Sequence, residues 1–241
     1  MQPQQQFGGR RRFRFTGLTW IWIALGVFFA TGAGVSIFIK QKPYVSAPDR
    51  SYFGIDGFQM VDGGLTFEAV EPPGGPADKA ELVGGDVVTS FDGHPVRTTD
   101  EMTDLLRQTP IGKTVEVIYL RDGVTKKTQL TTESQQGIQR LRDVGNRPAG
   151  VFGFQRDRTT RISVPETKTY GLRIDYVIPN SPADLFGIKE GDIITEFDKI
   201  PIRTSKELLS RVQRATPRST VEVVVVRGNE TLKIPVTLGS R

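Results

Sequence analysis

The sequence predicts an α+β fold, mostly β, built as two copies of one small domain behind a single N-terminal transmembrane helix. Three observations predict this. An uncharged apolar stretch lies near the start, a segment of about fifty residues recurs at a fixed offset, and each copy reads as short β-type runs punctuated by turn residues around one amphipathic helix.

The apolar stretch is Leu18 to Ile39, 22 residues without a charge. As a helix it would extend about 33 Å, enough for the hydrocarbon core. Trp20 and Trp22 sit near its arginine-rich end, where interfacial aromatics belong. Arg10, Arg11, Arg12 and Arg14 precede the span and Lys40 and Lys42 follow it, so the positive-inside rule places residues 1–17 in the cytoplasm and the remainder outside. The competing reading is a cleaved signal peptide, since Ala30, Gly32, Ala33 and Gly34 offer small residues for cleavage. Against it, the stretch exceeds the usual signal-peptide core and continues through Val35-Ser36-Ile37-Phe38-Ile39. Gly26, Ala30 and Gly34 share one helix face, as in small-xxx-small homodimer contacts; glycine is also simply common in membrane helices.

The formal charge of +5 suggests nucleic acid, but its placement argues otherwise. Four of the 32 basic residues lie before residue 40, where there is no acid, and the remaining 28 face 27 acids. No cysteine is present, so there is neither a disulfide framework nor a thiol nucleophile.

The repeated unit is clearest at Pro179 to Ile202, PNSPADLFGIKEGDIITEFDKIPI. Ser181 can cap a turn of helix whose first position is Pro182, and Gly187 can end it in a left-handed conformation. Gly191-Asp192 turns into the strand Ile193 to Phe197, and Asp198-Lys199 turns again before Ile200-Pro201-Ile202. Moved back by 106 positions, this falls on Pro73 to Val96 without a gap: Pro182 on Pro76, Asp184 on Asp78, Gly191-Asp192 on Gly85-Asp86, Pro201 on Pro95. After the unit, Thr98 or Thr99 caps a helix to Gln108, with Glu101 placed for a capping box; Thr204 or Ser205 caps a helix to Arg214, with Glu207 in the same place. A hairpin closes each copy, Val115 to Thr131 around Asp122-Gly123 and Val221 to Leu238 around Gly228-Asn229. The polar segment 133–148 reads as a linker with room for a helical turn or two, between domains at 50–132 and 149–241, each expected to fold alone. The second copy is seven residues longer between its aromatic-Gly pair and the shared unit. The extra residues, around Arg156 to Lys168, read as a solvated loop in preference to an extended hairpin.

That unit resembles the PDZ domain of bacterial envelope proteins, of the kind found in HtrA-type periplasmic proteases, site-2 metalloproteases and an inner-membrane component of type II secretion. The resemblance covers about residues 50–132 and 149–238, implying a single transmembrane helix followed by two PDZ-like domains. It also implies a ligand mode: an aromatic-apolar-Gly-apolar loop holds a peptide's terminal carboxylate, and the following helix lines the groove. Tyr52, Phe53, Gly54 and Ile55 fit that loop in the first copy, and Val151, Phe152, Gly153 and Phe154 in the second. Glycine there lets successive N–H groups converge on one anion, whereas an isolated aromatic-Gly pair is equally a plain β-turn. Carried over likewise, Met102 and Leu106, and Leu208 and Val212, are the groove residues, although the same apolar face serves as ordinary core. The implied partners are protein C-termini or extended peptide segments, met in the periplasm or another extracytoplasmic space.

Catalytic constellations are missing from the sequence. One histidine, His94, stands in the turn Asp92-Gly93-His94-Pro95, no Gly-x-Ser-x-Gly surrounds any serine, and there is no His-Glu-x-x-His. Asp86 and Asp192 each follow a glycine before a strand, where a carboxylate bonds local amides. No cofactor, metal site or catalytic residue is expected. The function expected is membrane-anchored, non-catalytic capture of peptide segments by an adaptor or scaffold; the alternative is an accessory component of an envelope serine-protease or secretion system.

Overall fold

A computed structural model describes residues 50–143, 148–165 and 167–241. The predicted membrane span with Gly26, Ala30 and Gly34, and the tail 1–17, lie outside the described residues. Among the described residues no helix is long and apolar enough to cross a membrane. The described residues form one compact unit.

The first copy runs β1 (Ser51–Tyr52), β2 (Ile55–Asp56), β3 (Gln59–Val61), β4 (Gly64–Thr66), β5 (Ala69–Val70), α1 (Pro76–Lys79), β6 (Val87–Phe91), β7 (His94–Pro95), α2 (Thr99–Gln108), β8 (Thr114–Arg121), β9 (Val124–Thr131), β10 (Glu133–Ser134) and α3 (Gln135–Asp143). The second runs β11 (Gly150–Val151), β12 (Thr159–Val164), β13 (Thr169–Ile174), α4 (Pro182–Leu185), β14 (Ile193–Phe197), β15 (Ile200–Pro201), α5 (Ser205–Arg214), β16 (Thr220–Arg227), β17 (Glu230–Thr237) and β18 (Gly239–Ser240). Each copy has a six-stranded antiparallel sheet, β3-β4-β6-β8-β9 in the first and β12-β13-β14-β16-β17 in the second, with β7 and β15 as side branches; two-stranded pairings β1-β10 and β2-β5 in the first copy and β11-β18 in the second stand beside them. The irregularity between Val88 and Ser90 recurs between Ile194 and Glu196, so the duplication extends to backbone detail.

Each copy buries its own core. Phe53, Leu65, Phe91, Met102, Val117 and Leu130 belong to one cluster; Phe152, Leu172, Phe197, Leu208, Val223 and Val236 belong to the other. A buried ion pair recurs beside each core. Arg121 grips Asp86 through Nε at 2.8 Å and Nη2 at 2.7 Å, and Arg227 grips Asp192 at 2.7 and 2.8 Å. Each aspartate also accepts a local amide, from Val83 at 2.9 Å and Lys189 at 2.8 Å, as the position of these acids predicts. The arginine partners, at the ends of β8 and β16, are not evident from the local pattern.

Three sequence expectations are corrected. The segment 133–143 holds the helix that a linker had room for, but it is also built into the fold: β10 pairs with β1 (Ser51 opposite Ser134), and α3 buries Ile138, 1 % exposed, beside Gly75. Residues 144–147 lie outside the described residues. The extra length of the second copy is not a loop but a long hairpin, β12 with β13, in register from Thr159–Ile174 to Val164–Thr169. The third concerns Glu207. Thr98 and Glu101 make the expected capping box on α2, but on α5 the Thr204 hydroxyl accepts from Glu207 N–H while the Glu207 side chain points across to the first copy.

The copies are docked, not merely tethered. Glu207 Oε2 accepts from Val70 N–H at 2.7 Å and Gly84 N–H at 3.1 Å, and its Oε1 accepts from Arg211 Nε at 2.7 Å. Arg211 reaches Asp78 at 2.6 Å, and Ser210 Oγ donates to Glu71 at 3.0 Å. Arg203, 6 % exposed, holds Asp122 through Nε at 3.1 Å and Nη2 at 2.9 Å. Lys206 bridges Asp56 and Glu68, and the Thr204 hydroxyl donates to the Glu68 carbonyl. Basic residues of the second copy thus meet acids of the first, around one buried carboxylate that satisfies two backbone donors.

Candidate functional site

Gly54 sits between β1 and β2 with φ +86°, and Gly153 stands at the same place in the second copy with φ +109°. That left-handed backbone turns the loop carbonyls inward. Phe53 C=O accepts from Ala77 N–H at 3.0 Å and Gly54 C=O from Glu71 N–H at 3.0 Å. Phe152 C=O accepts from Ala183 N–H at 2.8 Å and Gly153 C=O from Ile178 N–H at 3.0 Å. With the carbonyls so engaged, no turn or loop hydrogen bond among the described residues uses the N–H of Phe53, Gly54, Phe152 or Gly153. Two successive free amides around a positive-φ glycine are the ingredients of an anion nest.

In the first copy the loop opens on a groove of about 260 Å³. Tyr52, Phe53, Gly54 and Ile55 line it from the loop and β2, and Met102 and Leu106 line it from α2. All six residues expected at this site therefore meet there. Phe53 and Met102 also belong to the core, while Ile55 and Leu106 are half-buried and pack on its edge. Leu65, Thr99 and Thr103 join them, as do Arg50 and Arg107 and the exposed Phe58, none of which sequence reasoning selected. Thr99 and Thr103 could have been found as the residues three positions before Met102 and Leu106 on the same face of α2. Arg50 directly precedes β1 and is the nearest cation in sequence to the loop.

In the second copy Phe152, Leu208 and Val212 share one cluster, with Phe154 packed on it and its ring 6.2 Å from that of Phe152. Leu208 is as buried as its counterpart Met102, 0 % against 4 % exposed, while Val212, 2 % exposed, is deeper in the core than the half-buried Leu106. Val151 pairs with Gly239 in the β11–β18 ladder. A Cβ on Gly153 would stand 2.0 Å from Ser181 Oγ, which closes on the loop from α4. At the position matching Arg50 the second copy has Ala149. Among the described residues no group of three or more His, Asp or Glu is arranged to hold a metal.

The duplicated fold is matched by the family comparison. The PDZ domain family matches residues 51–132 and 150–238, so this chain belongs to the PDZ-domain family, with two copies. It is similar to a probable periplasmic serine endoprotease DegP-like of Ectopseudomonas mendocina, 28% identical over 182 residues, which covers 73% of this chain and 37% of the relative. It is also similar to the periplasmic serine endoprotease DegP of Escherichia coli K12, 27% identical over 160 residues, 66% of this chain and 31% of the relative. The chain thus spans about a third of the length of these curated relatives. Among solved structures, the HtrA3 PDZ domain bound to a phage-derived ligand is 27% identical with a TM-score of 0.33, covering 39% of this chain and 89% of that one. The HtrA-type protease AlgW with a decapeptide is 13% identical with a TM-score of 0.36, covering 65% and 55%.

Proposed function

We propose that this chain captures the C-termini of other proteins in the groove of its first PDZ copy, and that it does so as a non-catalytic adaptor held at the outer face of the cytoplasmic membrane by residues 18–39. The observation that carries the reading is the convergence of the Phe53-Gly54 amides with the apolar wall of Ile55, Met102 and Leu106 on one open groove. A peptide adds there as a strand along β2, its carboxylate accepting from the loop amides and its last side chain entering between Ile55 and Leu106. Arg50 at the groove end adds positive charge beside the carboxylate. The wall is apolar, so the preferred final residue is Val, Leu or Phe, whose burial contributes about 1.5–3 kcal/mol. The second copy, with Leu208 and Val212 in its core, binds more weakly or serves to position the first.

Calorimetry tests this with one peptide ending in Val, carrying either a free carboxylate or an amide. Binding by the free acid, lost on amidation and on Leu106→Glu, is the expected result. Equal affinity for both forms would exclude C-terminal capture. A second reading, an accessory component of an envelope serine protease, draws on the similarity to DegP-like proteins whose names place them in the periplasm. Crosslinking in cells, followed by identification of the attached protein, distinguishes a protease partner from unrelated clients.

A further inference from the structure

The contact between the two copies has a head and a tail. The head is Arg203, Thr204 and α5 of the second copy; the tail is β5, the Gly84 turn, Asp78 and Glu71 of the first. The second copy has a tail of its own. Because Ile178 N–H bonds Gly153 C=O as Glu71 N–H bonds Gly54 C=O, Val177 stands where Val70 stands and Ile178 where Glu71 stands. Asp184 matches Asp78 and Glu190 matches Gly84, and even the turn before the short helix agrees: Asn180 N–H donates to Asp184 at 2.7 Å, as Gly74 N–H donates to Asp78 at 2.6 Å.

Nothing among the described residues covers this second tail. The amide of Val70 is taken by Glu207, but the amide of Val177 has no partner among the described residues. Ile178 is 40% exposed and Leu185, next to Asp184, is 70% exposed. The surface therefore offers an unpaired strand-edge donor, an apolar step where the first tail has Glu71, and the carboxylates of Asp184 and Glu190.

We propose that the second tail is a docking site for a basic amphipathic helix of another polypeptide, seated as α5 is seated on the first. The internal contact specifies the partner's chemistry. A carboxylate in its first turn accepts from Val177 N–H, as Glu207 accepts from Val70 N–H. A basic residue one turn later pairs with Asp184, as Arg211 pairs with Asp78. The positions of Ser210 and Arg214, which face Glu71 in the first copy, carry apolar side chains that cover Ile178. A second copy of this chain does not fit. Its free head is α2, where Asp100, Asp104 and Leu105 stand in place of Lys206, Ser210 and Arg211 and Glu101 is taken by the amides of Arg97 and Thr98, so that acids would face Asp184 with no cation to pair it.

The probe is a side-chain-stapled, fluorescein-labelled peptide copying residues 203–216 with Ser210→Leu and Arg214→Leu. It is titrated with the full chain in detergent micelles and read by anisotropy. Saturable binding is expected. Ile178→Glu and Asp184→Lys in the protein, both at exposed positions, should each weaken it about tenfold or more, and so should Glu207→Ala in the peptide. Leu106→Glu, in the groove, should leave it unchanged. Absence of saturation up to about 1 mM, or binding indifferent to Ile178→Glu, overturns the proposal. So does concentration-dependent self-association in the ultracentrifuge that Ile178→Glu abolishes, since the occupant would then be a second copy.

Discussion

Glu207 is the residue on which the contact between copies turns. Burial pushes its carboxyl up from the ordinary range, against the pull of Arg211 and of the two amides it accepts from. Replacing it with alanine leaves Val70 N–H and Gly84 N–H without their acceptor and Arg211 with Asp78 as its remaining carboxylate, a loss of about 3–5 kcal/mol. Glu207→Gln keeps an oxygen for the amides and should cost about 1 kcal/mol; urea midpoints of the two variants check the difference. The sign of the pH dependence follows from the direction of the shift. With the folded value raised, the folded chain takes up this proton before the unfolded chain does, so mild acidification favours folding at this group. Asp56 behaves oppositely, because the hydrogen bond from Lys206 lowers its carboxyl. Its contribution is present above the ordinary aspartate range and is lost as pH falls through its lowered folded value. Docking, followed by interdomain fluorescence transfer, should therefore survive mild acidification and weaken only in stronger acid. Glu207 also marks a limit of sequence reading. The Thr-x-x-Glu pattern is the same at Thr98–Glu101 and Thr204–Glu207, yet Glu101 turns back to the amides of Arg97 and Thr98 while Glu207 finds two donors on another surface. A local pattern contains no record of what lies opposite. The loop glycine was legible, because aromatic-Gly occurs at the start of both copies. Gly54→Val, forced to φ +86° with its Cβ 3.1 Å from Pro76, should cost about 1–3 kcal/mol and weaken peptide binding in the first groove.

At the scale of elements, β10 and α3 carry the clearest lesson. Their sequence, ESQQGIQRLRD, is polar because α3 lies on the surface and buries a single apolar side chain, Ile138. With a single fully buried side chain the helix is mostly polar in composition, and the Ser134 hydroxyl that accepts from Gly137 N–H at 2.8 Å resembles any serine in a linker. Yet the segment closes on β1, the strand leading directly into the Phe53-Gly54 loop. Ile138→Ala should cost about 2–5 kcal/mol in thermal or urea unfolding. Deleting residues 133–143 should further weaken peptide binding in the first groove, because β1 loses its partner strand. A hairpin at β12–β13 weighed less than a loop for a similar reason. Half of its strand TTRISV is exposed and only Val164 is buried, so it lacks the apolar alternation of a half-buried strand, and its arginines are anchored by contacts such as Arg161 over the Tyr170 ring at 4.4 Å.

For the whole molecule, the duplication was open to view because a gapless 106-residue offset needs no structure to detect. The docking of the copies was hidden, because Arg203 and Arg97 are the same residue type at the same position, one bonded to Asp122 and the other exposed. The two domains that the sequence separates form a compact pair joined by buried charge. Reversing Arg203 to Glu would set it against Asp122 and should release the copies, seen as a larger radius of gyration in small-angle scattering with both cores still folded.

The asymmetry of that contact reaches into how such a gene can change. Tandem repeats in constant register invite unequal crossing-over, which deletes or adds a copy in one event. Here a chain left with one copy would carry either a buried-type Glu207 and Arg211 with nothing to receive them, or an acidic tail around Glu68, Glu71 and Asp78 with no basic helix upon it. The surface joining the copies thereby fixes both their number and their order, and each copy can drift only as far as its neighbour's surface allows.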